Sequence, residues 1–352
     1  MPNPVRRSSS TISPDSKVRR GLSKRATSAG YSSEQFMISN KPLWTDLIAV
    51  VLPVLAFAIA VKVYSNELLL INVMIYIVLA QGINVSYGFT GYLPFGYVGF
   101  FGTGAYAASL SILFLHFPAE IAVLAGGVVA ALLALVLSPL LRLSGSYFAI
   151  ATLAAAEAIS AIVGNPSLAN ITKGPYGIDI GSAYNSGASY VAAVVLVGIA
   201  MLTVVLLNRS NLGLALRSIR NDPLSAAMAG VNVVRERMVA WVIAAVFAGL
   251  AGGIFAWAIS VFYPSAVFDL STSVFAIVFA LFGGVGSVYG PMIGAIVLYG
   301  LYSFIGISQP QYFQVIYGLL IVILVLFVPG GLAGLLRSVR GKRGKSASKG
   351  ND

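Results

Sequence analysis

The chain has 352 residues, of which 58% are apolar and only 9% charged, and its net charge is +11. Soluble domains carry about 25% charged residues, so this composition excludes a water-facing shell and makes lipid the main solvent. The lack of cysteine excludes disulfides, Cys-ligated zinc and a cysteine nucleophile, and a single histidine, His116, excludes a multi-His metal site.

Residues 1–43 are rich in Ser, Lys and Arg and lack apolar periodicity, as a disordered basic cytosolic tail does. The segment is too long for the charged region of a signal peptide, and the apolar run behind it is too long for that peptide's core. An organellar transit peptide is the alternative, since the tail is poor in acids. Apolar runs near the ~20 residues needed to cross a bilayer follow at 44–62, 68–86, 93–115, 120–141, 146–164, 189–207, 237–262, 271–286, 289–307 and 311–328. The predicted fold is an all-α integral membrane protein of about ten transmembrane helices with glycine-broken segments. A second basic cytosolic tail spans 337–352.

The basic residues sit in the gaps between apolar runs. Ten spans with the N-terminus inside place both tails, Arg142 and the 208–237 segment in the cytoplasm, and leave Lys62 and Lys173 outside. Charge distributed in this way is a membrane-topology signal. It is not a nucleic-acid footprint, because no folded soluble unit is available to present it.

Glycine is the second signal, with 37 residues. Gly126, Ala130, Ala134 and Ser138 recur every four residues, as do Ala245, Gly249 and Gly253, and such stripes let helix backbones approach closely. Two denser stretches, 88–96 (GFTGYLPFG) and 283–291 (GGVGSVYGP), predict breaks in helices. Backbone groups freed inside a bilayer must be buried in protein or line a wet cavity, and broken helices are common at transport sites. The two stretches resemble each other weakly, as either an internal repeat or a shared glycine bias would make them.

No catalytic constellation appears. The Gly344-Lys345-Ser346 run matches the end of a phosphate-binding loop, but Val339 stands where the first glycine belongs and no strand precedes it. Asp46, Glu67 and Glu120 lie at span ends, whereas Glu157 sits mid-span on a face with Leu153, Ala154, Ser160, Ala161 and Gly164. An intramembrane acid marks either a functional path or a hydrogen bond between helices. In the 208–237 segment, residues 213–220 predict a short amphipathic helix with Leu216 and Ile219 on one side. Asn221 or Asp222 then caps a second helix with Pro223 in its first turn. Such a segment docks a partner at the membrane face, or else is a solvated basic linker.

Six blocks resemble, in order, the LivM-like permease subunits of branched-chain amino acid ABC importers. They are 91–106 (GYLPFGYVGFFGTGAY), 143–153 (LSGSYFAIATL) with Glu157, 172–178 (TKGPYGI), 214–222 (LALRSIRND) through 229–232 (AGVN), 283–291, and 329–334 (PGGLAG). The resemblance implies a permease domain over 44–336 in a multi-pass protein of the bacterial inner membrane, with both termini cytosolic. It implies a LivH-like second permease, two cytosolic ATPases that bind Mg-ATP, a periplasmic substrate-binding protein, and no cofactor on this chain itself.

Under the same resemblance the 208–237 loop meets an ATPase, with Arg217, Arg220, Asp222, Pro223, Ala226 and Gly230 as the coupling residues. The translocation path takes Thr90, Gly91, Phe95, Gly96, Glu157, Gly283, Gly284, Gly286 and Ser287. The chain departs from the usual Glu-Ala-Ala coupling signature, because Leu224-Ser225-Ala226 precedes Gly230. Relatives of this kind serve leucine-type and other amino acids, urea and short amides, and aromatic acids. A stand-alone secondary carrier is the alternative of another class, with Glu157 as its candidate coupling acid. A membrane enzyme would need clustered polar residues near one bilayer face.

Overall fold

The computed structural model describes residues 43–64 and 66–308, with the isolated positions 315, 318 and 319. Both expected tails, the expected span 311–328 and the 329–334 block lie outside the described residues, apart from Leu43 and those isolated positions. The helices are α1 (Leu43–Val63), α2 (Glu67–Ile83), α3 (Val98–Leu115), α4 (Ala119–Val136) and α5 (Ser146–Val163). After them come α6 (Ser186–Arg209), α7 (Asn211–Asn221), α8 (Pro223–Met228), α9 (Val233–Ile259), α10 (Leu270–Gly283) and α11 (Gly290–Ser308). Seven of the described helices are long and apolar enough to cross a bilayer, and α1 and α11 contribute shorter apolar stretches. The protein is a multi-pass helical membrane protein.

Helix ends are set by local chemistry that hydropathy does not see. Helix α9 begins at Val233, ahead of the apolar run at 237, because the Asn232 side chain accepts from Arg235 N at 3.1 Å and caps it. Helix α4 stops at Val136, short of the expected 141. There Pro139 enters a 3₁₀ turn, Ser138–Arg142, where its ring cannot continue an α-helix. Helix α10 stops at Gly283, since Gly284 takes φ +102, which is left-handed territory suited to glycine.

Helix α9 is the hub. Its buried face is built largely of small residues, among them Ala244, Ala245, Ala248, Gly249, Gly252 and Gly253. A side chain at Gly104 of α3 would strike the backbone of Gly249, and one at Gly249 would lie 2.7 Å from the carbonyl of Gly126 on α4. The two small-residue stripes therefore serve helix packing, in contact with each other and with α3. Buried polar tips find backbone partners: Trp241 Nε1 donates to Ala134 O at 3.1 Å and Tyr97 OH to Ala244 O at 2.7 Å. In a bilayer these two pairings keep the Trp241 and Tyr97 tips from being stranded in hydrocarbon, whereas the buried Tyr106 hydroxyl and Ser109 Oγ of α3 have no hydrogen-bond partner among the described residues.

The bundle has two distinguishable ends. At one, β1 (Ile178–Asp179) pairs antiparallel with β2 (Val261–Phe262), and Trp257 Nε1 donates to Ala183 O at 2.8 Å. Helix α6 runs from this strand end to α7, and α9 returns from α8 to it. Helices α7 and α8 therefore mark the opposite, loop end. Lys173, whose ammonium lies 5.5 Å from the Phe114 ring, belongs to the strand end.

Candidate functional site

Both glycine-rich stretches interrupt helices, and their interruptions meet at the loop end. After Ile83, α2 widens into a π turn, Asn84–Gly88, and helical structure ends at Thr90. Residues 91–94 are irregular before a 3₁₀ turn, Phe95–Tyr97, leads into α3. The second interruption is the loop between α10 and α11, where Gly286 has φ +82.

Side chains take up the backbone groups that the breaks release. Asn84 Oδ1 accepts from Gly286 N at 2.6 Å, and its Nδ2 donates to Ser287 O at 2.9 Å and to Gln81 Oε1 at 3.1 Å. Gln81 Nε2 donates to Val288 O at 2.7 Å. Ser86 Oγ donates to Tyr92 O at 2.9 Å, and Ser287 Oγ donates to Gly284 O at 2.7 Å while accepting from Gly290 N at 3.0 Å. Gln81 and Asn84 are both fully buried. An unpaired amide there would cost about 2–7 kcal/mol; these are paired.

The expected path residues divide by exposure. Thr90 is buried and its hydroxyl donates to Ser86 O. Gly96 packs on the backbone of Thr152 and its N–H donates to Thr152 Oγ1 at 3.3 Å. Gly283 packs against Gly290. Gly91 and Phe95 are exposed, and Gly284, Gly286 and Ser287 line the second break. Glu157 lies on the outward face of α5, with Ala154 and Ala161, opposite the buried Phe148, Thr152 and Ala156. Helix α5 is the least covered of the seven spans.

Under the breaks lies the α7–α8 segment. Ser210 caps α7, accepting from Gly213 N at 3.1 Å, and Leu216 and Ile219 bury its apolar side. Asp222 caps α8 by accepting from Leu224 N at 3.1 Å and Ser225 N at 3.3 Å. Those bonds, led by the one from the Ser225 hydroxyl, hold the Asp222 carboxyl below its ordinary range. Helix α8 ends in a Schellman arrangement: Val231 N donates to Ala226 O at 3.1 Å and Gly230 N to Ala227 O at 3.0 Å, with Gly230 at φ +87. Ala226 is buried under this turn, whereas Leu224 and Met228 stand 69% and 76% exposed.

Three arginines join the segment to the first break through its aromatics. Arg220 donates to the carbonyl of Gly88 and lies 5.8 Å from the Tyr87 ring centre. Arg217 lies 5.2 Å from the Phe89 ring, and Arg237, at the start of α9, 4.3 Å from Tyr92. Each such cation–π contact contributes about 0.5–1 kcal/mol or more when desolvated. Among the described residues no three His, Cys, Asp or Glu side chains gather as a metal site would require.

The family described as "Branched-chain amino acid transport system / permease component" matches residues 66–325, well over half of the chain. This chain belongs to that family. The permease is 29% identical over 296 residues to the high-affinity branched-chain amino acid transport system permease protein LivM of Salmonella typhimurium, covering 75% of this chain and 69% of the relative. It is 25% identical over 303 residues to the probable branched-chain amino acid transport permease protein LivH of Methanocaldococcus jannaschii, covering 78% and 90%. Over 140 residues it is 34% identical to the fructose import permease protein FrcC of Rhizobium meliloti, covering 38% of each. No solved structure matches the permease.

Asn84, Gln81, Leu224 and Met228 are the functional candidates that hydropathy and glycine counting miss. The two amides, three apart in an apolar helix, carry a readable signal, because an intramembrane amide demands partners. What they bind is set by a loop far along the chain, which no local pattern announces.

Proposed function

We propose that this chain is one of two membrane subunits of an ATP-driven importer for branched-chain or related amino acids. A LivH-like permease is its partner, and two cytosolic ATPases bind and hydrolyse Mg-ATP, so the chain itself needs no cofactor. A periplasmic protein delivers substrate to the strand end. In this reading the loop end is cytosolic, as are both termini.

The observation that carries the reading is the α7–α8 segment. Caps at both ends of α8 make it stiff, and its exposed Leu224 and Met228, one helical turn apart, offer an apolar contact to a partner. The uncovered face of α5 supports a path between the two permeases. Its Tyr147 and Ile150 could face lipid, but Glu157 at mid-span could not do so cheaply. The printed names of the LivM and LivH relatives support the amino-acid class of substrate.

The test is reconstitution of the five-component importer in proteoliposomes. Asp222→Ala with Pro223→Gly should leave membrane levels and the binding protein's affinity unchanged. ATP hydrolysis should then stop responding to loaded binding protein. Full stimulated hydrolysis and uptake in this double variant would make the loop a linker and remove the coupling assignment.

A further inference from the structure

Asn84 holds both helix breaks at once, and it does so with every polar atom of its side chain engaged. Its carbonyl oxygen takes the Gly286 amide at 2.6 Å, and its amide nitrogen reaches Ser287 O at 2.9 Å and Gln81 Oε1 at 3.1 Å. Asn84 also opens the π turn that ends at Gly88. A side chain at Gly88 would lie 2.9 Å from Gly286 N and 3.3 Å from Asn84 Cγ, so the two breaks touch through bare backbone. The Gly88 carbonyl receives Arg220 from α7. Contacts thus run without a gap from the loop segment, through Gly88 and Asn84, to Gly286 and Ser287.

A leucine of similar size would bury more apolar surface at position 84. A fully satisfied buried amide instead selects one arrangement of the groups around it. The π turn is the point at which a second arrangement could form. It holds one residue more than an α turn, and relaxing it to α would rotate the residues beyond it by about 100°. With α2 held in place, that rotation would carry the Gly88 carbonyl away from Arg220 and break the contact of Gly88 with Gly286.

We infer that Asn84 is a positioning residue for transport, which, with Arg220 and the Gly88 carbonyl, makes displacement of the α7–α8 segment move both helix breaks together. The inference rests on the importer reading above, and it places Asn84 downstream of the contact with the ATPases.

The experiment uses the complete importer in proteoliposomes and measures leucine uptake, ATP hydrolysis and their ratio. In Asn84→Leu, hydrolysis should still respond to loaded binding protein, because α8 is untouched. Uptake per ATP should fall about tenfold, the size of an ordinary coupling free energy between sites. Arg220→Met should lower the same ratio, and the double variant should fall no further, as expected for members of one linkage. Should Asn84→Leu not assemble, Asn84→Ser and Gln81→Leu remove smaller parts of the network and carry the same expectation.

An unchanged ratio in the assembled variants overturns the inference. So does loss of stimulated hydrolysis together with uptake, which would place Asn84 upstream, or full additivity of the Asn84 and Arg220 effects. Failure of the importer reading is seen separately. The complex with the unaltered chain would then show no ATP hydrolysis that responds to loaded binding protein.

Discussion

Arg220, on a polar loop segment, donates a hydrogen bond to the backbone carbonyl of Gly88, 132 positions earlier in the chain. The bond ties a surface helix to a break inside a membrane span. Gly88 can accept it because the π turn and the end of the helix at Thr90 leave its carbonyl without the usual helical partner. The guanidinium can reach it because Leu216 and Ile219 anchor α7 against the bundle.

Sidedness is directly testable, since the chain has no native cysteine. Tyr176 is 79% exposed at the strand end and Leu224 is exposed at the loop end. Tyr176→Cys should react with an impermeant thiol reagent on intact cells, and Leu224→Cys only after the membrane is opened. Labelling of Leu224→Cys in intact cells would reverse the proposed orientation.

Glycine substitutions should separate packing from open space. At Gly252 an added Cβ would lie 3.0 Å from Ala105 N and closer still to the carbonyl of Phe101. Gly252→Ala should therefore cost about 1–3 kcal/mol. Gly300 in α11 has nothing within 4 Å, and Gly300→Ala should be neutral or stabilise by up to ~1 kcal/mol. Thermal unfolding in detergent, read as a shift of opposite sign for the two variants, is the check.

The Asp222 cap should respond to acid. Its carboxyl is held below the ordinary range by the Ser225 hydroxyl, then by the Leu224 N–H. A lowered folded pKa means that the cap contributes fully above the ordinary carboxylate range and is lost as pH falls through the lowered value. Hydrogen exchange at the Leu224 and Ser225 amides should accelerate, relative to other loop amides, on acidification. Asp222→Asn, which still caps, should abolish that dependence, and an identical pH profile in both proteins would refute the assignment.

Glu157 should matter to transport without mattering to the fold of this chain. Its side chain is exposed, and replacing an ionisable residue at mid-span by an apolar one eases insertion by roughly 3 kcal/mol. Glu157→Leu should therefore appear in the membrane at normal or higher levels while uptake by the reconstituted importer falls. Glu157→Gln, which still hydrogen-bonds, should retain most of that uptake. If Glu157→Gln instead abolished pH-driven uptake in vesicles free of ATPase, the carrier reading would replace the importer.

Composition by itself determined that the chain lives in lipid, and hydrophobic run length located the apolar helices of the described residues to within about five residues. Both follow from solvent transfer and the bilayer's thickness, which act on any apolar segment alike. The start of α8 was also legible, with Asn221 or Asp222 as its cap and Pro223 in its first turn, because such residues act on backbone within four residues of themselves. The helix breaks were legible as glycine density, and their neighbourhood was not. Only the tertiary structure decided that the two breaks touch, that Asn84 and Gln81 take up their freed backbone groups, and that Arg220 closes on Gly88. It also decided that Ala226 turns inward while Leu224 and Met228 turn out. The reason is physical: a backbone group released by a break must be satisfied from whatever lies nearest in space, and nearness across some two hundred residues is a property of the packed bundle.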